Sequence, residues 1–209
     1  MRILNKIKLL RMFSNTSAYR SSYSREEYYH NAVFPHDINI FIDYENVLPA
    51  KRPVAFKDLD WGISTTEFIE EYGKPKFIIS PERNVNGRTI FFYKGLADDH
   101  KYILQIHFIE DKYFYACNTF KDLSPKNRSI YKRVIEQKYA MENVGMSDAP
   151  AFADQNKNKV IISDSVHFNI SYIAGDEKLV RLVHKGNCSI RQSEQLNSDK
   201  KNASLYSFL

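Results

Sequence analysis

Histidine and cysteine are the side chains from which metal sites and nucleophilic centres are most often built, and here they are sparsely placed. His30, His36, His100, His107, His167 and His184 form no HExxH or other local ligand pattern, and neither Cys117 nor Cys188 belongs to a CxxC pair. The two thiols read as small hydrophobes in a reducing compartment, and a disulfide between them requires a fold that brings positions 71 residues apart together. His107 and His167 fall on the less apolar faces of expected strands, where a hydrogen-bonded or solvent-edge histidine is the ordinary outcome. The seven glycines lie too far apart for GxGxxG, GxxxxGK(S/T) or GxSxG, which sets aside dinucleotide, P-loop and nucleophile-elbow chemistry. Phe91, Phe92, Tyr93, Tyr113, Phe114 and Tyr115 have the rings to stack nucleic-acid bases. The charge around them does not suit phosphate: residues 1–25 hold six basic side chains and no acid, whereas the remaining 184 hold 24 basic and 25 acidic. These rings are expected to pack in the core and on sheet faces.

One carboxylate set points to a definite chemistry by likeness. Ile40-Phe41-Ile42-Asp43-Tyr44-Glu45-Asn46 resembles the strand end with which NYN and PIN-type ribonucleases begin, and Ala174-Gly175-Asp176 followed by Leu179 and Leu182 resembles their later G-D-x-D-F motif. The resemblance implies a metal-dependent ribonuclease in which Asp43, Glu45 and Asp176 hold Mg²⁺ or Mn²⁺ and activate a water. Two features depart from it: Lys178 stands where the late motif has its second aspartate, and residues 76–118 read as an antiparallel meander where that family has a parallel sheet. The favoured expectation is that Asp43 and Glu45 are turn and loop carboxylates, with no catalytic residue, metal or cofactor.

These residues must be positioned by a recognisable series of elements. Ile38, Ile40 and Ile42 alternate with polar or outward residues, predicting a strand before a loop broken by Pro49 and Pro53. Ser64-Thr65-Thr66-Glu67 is a capping box, from which a two-turn helix with Phe68, Ile69 and Tyr72 runs to Gly73 and Pro75. Strands are expected at 76–80, 89–94, 102–108 and 113–118, the last after a Glu110-Asp111-Lys112 turn. A second helix, starting at Ser124-Pro125 or Asn127, carries Ile130, Val134, Ile135 and Tyr139 toward Gly145. Strands then follow at 159–163 and 166–173, with Gly175-Asp176 turning the chain into a further strand at 178–184. Along 166–173, Val166, Phe168, Ile170 and Tyr172 face one way and His167, Asn169 and Ser171 the other.

The lead into the first helix carries a second likeness. Phe56, Trp61-Gly62-Ile63-Ser64 and Tyr72-Gly73-Lys74-Pro75 make an F-x-x-x-x-W-G-x-S lead and a YGKP exit. Together they resemble the small helix-plus-antiparallel-sheet domains of the BamE (SmpA/OmlA) type and of the tandem β-lactamase-inhibitor-protein type. The resemblance implies a non-catalytic protein that binds another protein through a sheet or helix face. No functional residue transfers with it, because the matching positions are capping and turn residues.

The resulting expectation is an α+β protein of two tandem units, each a short helix followed by an antiparallel meander. Residues 1–36 form a basic N-terminal arm, 37–120 the first unit, 121–186 the second, and 187–209 a polar tail rich in Ser, Asn, Gln and Lys. In the arm, Ile3, Ile7 and Leu10 share helical spacing with Lys6, Lys8 and Arg11, a pattern suited to anionic lipid or nucleic acid. The apolar stretch is too interrupted for a secretory leader, so a cytoplasmic location is expected, or a mitochondrial one in a eukaryote. The expected function is that of a protein-interaction module.

Overall fold

The structure, a computed structural model, describes residues 47–80, 87–141, 151–164 and 166–183. The backbone divides into Met1–Phe34 and Pro35–Leu209, and every described residue belongs to the second unit. The basic arm, the strand expected at 38–42 and the polar tail therefore lie outside the described residues.

The described chain is α+β, with a mostly antiparallel sheet of eight strands and three helices. In chain order the elements are β1 (Val47–Pro49), α1 (Thr65–Tyr72), β2 (Phe77–Ile79), β3 (Arg88–Ala97), β4 (His100–Ile109), β5 (Lys112–Phe120), α2 (Pro125–Tyr139), β6 (Ala151–Ala153), β7 (Lys159–Asp164), β8 (Phe168–Ile173) and a third helix, α3, described over 177–183. Across the sheet the order is β1-β6-β7-β8-β5-β4-β3-β2, and β1 with β6 is the parallel pair.

The capping box forms as expected. Ser64 Oγ accepts from the Glu67 amide at 3.2 Å, and the Glu67 carboxylate accepts from the Ser64 amide at 2.8 Å. The Ser64 backbone and then side-chain bonds hold the Glu67 carboxyl below its ordinary range. At the other end Gly73 adopts φ 94, a left-handed conformation that favours glycine, and ends the helix.

Two tight hairpins set the long strands in register. Asp98-Asp99 (φ 47 and 62) and Glu110-Asp111 (φ 47 and 61) both place two consecutive residues in the left-handed region, as the two-residue hairpin turn matching strand twist requires. The Asp111 carboxylate accepts from the Thr65 amide at 3.1 Å and from its hydroxyl at 2.6 Å, tying the second hairpin to the first turn of α1. A bulge follows in β5: His107 opposes Tyr115 while Phe108 opposes Tyr113, leaving Phe114 as the extra residue. Gly95 faces Tyr102 across the β3–β4 pair, and a Cβ there would fall 2.1 Å from the tyrosine ring, so glycine is required for the ring to lie over the strand.

Helices α1 and α2 share one face of the sheet. Phe68 is fully buried there among the rings of Tyr72, Phe91, Tyr93, Phe108 and Tyr113. Ile135 and Tyr139 of α2 join the same core with Phe120, Phe152 and Phe168. Phe68, Leu104, Ile106, Phe108, Ile135, Phe168 and Ile170 are buried in this core, and Ile69 packs against them. Leu179 and Val183 of α3 belong to a second cluster on the opposite face with Phe114, Tyr115, Cys117, Ile161 and Ile173.

Three expectations need correction. The strand expected at 178–184 is the helix α3, because Asp176 caps it and Leu179, Leu182 and Val183 satisfy helical spacing as readily as strand alternation. Helix α2 stops at Tyr139 rather than near Gly145: Ala140 turns extended, and the Lys51 amide takes the Tyr139 carbonyl at 2.9 Å. Its inward side is Tyr131, Ile135 and Tyr139, while Ile130 and Val134 are 46% and 52% exposed. In addition, Val47–Pro49 is a short strand where a loop is expected, and Ala151–Ala153 is one with no sequence signal.

Candidate functional site

Of the carboxylates in the nuclease resemblance, Asp43 and Glu45 lie outside the described residues. Asp176 accepts at one carboxylate oxygen from the amides of Lys178 (2.7 Å) and Leu179 (3.1 Å), the role of a helix N-cap. Among the described residues no group of three or more His, Cys, Asp or Glu is placed to hold a metal ion. The chain from β2 to β5, where a parallel sheet would be needed for that family, is antiparallel throughout.

A second gathering of reactive side chains lies on the sheet face away from α1 and α2. Cross-strand register brings Gln105 of β4, Cys117 of β5 and Ser171 of β8 into one row. Tyr115 Oη and Ser171 Oγ share a hydrogen bond at 3.0 Å, and the Ser171 hydroxyl also reaches Cys117 Sγ at 3.5 Å. His107 Nε2 lies 3.4 Å from Gln105 Oε1, and its ring meets that of Tyr115 edge-on at 4.9 Å. Arg88 extends over the Phe114 ring at 5.7 Å. All of these polar residues are nearly inaccessible.

The electrostatics follow from that burial. Desolvation first, and the nearby Arg88 charge second, push the His107 imidazole well below its ordinary range, so it is neutral. Desolvation likewise lowers Arg88 to about 10. Cys117 is a free, buried thiol, as expected, whereas Cys188 lies outside the described residues. The imidazole here engages Gln105 and Tyr115 rather than the thiol or the serine hydroxyl, so the row holds the strands in register instead of forming a nucleophile–base pair. Of the two histidines placed on less apolar faces, His107 is buried and His167 half-buried. The six aromatics considered for base stacking are all buried, which makes them packing residues.

Among the described residues an accessible recess of about 550 Å³ lies between the β6–β7 loop, the end of β8 and α3. Its apolar lining comes from Ala153, Ile173, Ala174 and Val180, and charged side chains of Lys157, Lys159, Glu177 and Arg181 surround it. Glu177 links Lys157 at 3.5 Å and Arg181 at 3.6 Å across the rim.

Asp154 builds the wall. Its carboxylate accepts from the amides of Val54, Asn156 and Asn158 at 2.8–2.9 Å and from Asn158 Nδ2 at 3.0 Å, closing the loop and holding the distant lead into α1 against it. Gly175 completes the wall: its amide donates to Asn158 Oδ1 at 2.7 Å, and a Cβ would meet the Asn156 carbonyl at 2.2 Å. Sequence reasoning did not find this recess, although the run Asp154-Gln155-Asn156-Lys157-Asn158 has the side chains of a self-bonded turn. No protein-family model, curated protein or solved structure matches the chain.

Proposed function

We propose that this protein is a non-catalytic protein-interaction module, built as two helix-plus-meander units whose last long strands, β5 and β8, pair at the centre of one sheet. The observation that carries the reading is the recess. An apolar floor ringed by mixed charges is the anatomy of a docking site for a partner's aliphatic side chain, with the rim setting orientation. The buried hydroxyl, thiol and imidazole groups of the second face serve strand pairing, which leaves surface complementarity as the means of action. The basic residues 1–25 would add a salt-sensitive contact with anionic lipid or nucleic acid, absent from a chain lacking them.

Photo-cross-linking tests the reading. A light-activated residue at position 157, whose lysine side chain is 73% exposed, should capture one protein from the source cells. Val180→Arg, which fills the floor with charge, should abolish that adduct without lowering the thermal melt. Mn²⁺-dependent cleavage of single-stranded RNA that disappears in Asp43→Asn would overturn the module reading and establish the nuclease.

A further inference from the structure

Helix α2 carries five basic residues and one acidic, Glu136, in a chain that is close to neutral beyond residue 25. Three of the cations are already engaged: Arg128 and Lys132 meet the Asp164 carboxylate at 2.5 and 2.9 Å, and Lys138 lies over the Tyr139 ring at 5.1 Å. Lys126 and Arg133 are exposed and share the outward side with Ile130 and Val134, themselves one turn apart and about half exposed in the folded chain. The helix thus presents to solvent a ridge of two aliphatic side chains flanked by cations, while Tyr131, Ile135 and Tyr139 hold its other side to the sheet.

We infer that this ridge docks an acidic amphipathic helix of a partner protein. Aliphatic side chains of the partner would meet Ile130 and Val134, and its carboxylates would meet Lys126 and Arg133. Charge complementarity fixes the sign of the partner, and the four-residue spacing of the ridge suits the groove of a second helix. The ridge lacks the aromatic residues that anchor interfacial helices in lipid or stack on single-stranded bases, which favours a peptide over a membrane or a nucleic acid. The surface shares no residue with the recess, so each stands or falls separately.

Fluorescence anisotropy on the full chain decides it, with a designed helical peptide bearing one Leu face and Glu flanks as the probe. Its Lys-flanked counterpart, phosphatidylserine vesicles and a uridine oligonucleotide complete the comparison. The Glu peptide should bind at roughly micromolar affinity and weaken about tenfold or more when salt is raised to about 1 M. Ile130→Ser with Val134→Ser, and separately Arg133→Glu, should each weaken it at least about tenfold with unchanged melting, whereas Lys101→Glu, exposed on β4, should leave it intact. Equal binding of the Lys peptide, undiminished binding in the α2 variants, or preference for vesicles or oligonucleotide would overturn the inference. Should the adduct at position 157 form while the Glu peptide fails to bind, this inference falls and the recess reading stands.

Discussion

Beneath α1 and α2 the sheet presents Phe91, Phe108, Phe120, Phe168 and Tyr172, and on its other face β4, β5 and β8 present Gln105, His107, Cys117, Thr119, Asn169 and Ser171. Both sets are at most 9% exposed. Alternation along a strand is usually a division between core and water, yet here it divides an aromatic core from a buried hydrogen-bonded row. The aromatic face gains by area removed from water, which tolerates small shifts. The polar face is stable only while each hydroxyl, amide and thiol meets its partner, and that requirement penalises a slipped register.

Breaking the aromatic face should have the largest effect. Phe68→Ala removes the ring around which five others are arranged and should cost about 3–5 kcal/mol in urea unfolding. A loss below about 1 kcal/mol would mean that α1 is not seated on the core.

The polar face should respond to pH instead. His107 has a folded-state pKa depressed below its ordinary 6.5 by desolvation and then by Arg88, so below that pH the unfolded chain binds the extra proton. Stability from this group is complete above about 6.5 and falls as the pH drops through and below it. His107→Gln should flatten the acid limb of a stability–pH profile; identical profiles for the two proteins would place the acid sensitivity elsewhere.

Smaller changes sharpen the comparison at the ends of the elements. Ser64→Ala removes the cap that starts α1 above the aromatic face and should cost about 1 kcal/mol, measurable by thermal melting. Asp99→Gly relieves a left-handed residue in the β3–β4 turn while adding unfolded-chain freedom, for a net gain of about 0.5 kcal/mol. A loss of stability in this last variant would show that the Asp99 side chain does more than occupy the turn.

Local chemistry made much of this architecture legible. The cap at Ser64, the stop at Gly73 and Pro75, and the alternation through residues 102–108 and through 166–173 depend on neighbours within a few positions, so spacing located them, although the last strand begins at Phe168 and leaves Val166 exposed. The recess was illegible for the opposite reason: Asp154 bonds to Val54 across 100 positions, and Gly175 closes against Asn156 and Asn158 only once β7 and β8 have paired. Asp176 shows the boundary between the two. Its Gly-Asp setting signalled a carboxylate at a turn, and the same residue suits a metal ligand or a helix cap until Lys178 and Leu179 offer it their amides.

By itself, then, the sequence determined the helices α1 and α2, the long strands and most of the aromatic core, because hydrophobic period and turn residues are properties of consecutive positions. Only the tertiary structure decided that β5 and β8 meet, that β1 runs parallel to β6, that residues 178–183 are helical, and that the polar alternate residues are buried. Those outcomes depend on which distant strands become neighbours, and the free energy that selects them comes from cross-strand packing and hydrogen bonds that exist only after the chain has folded.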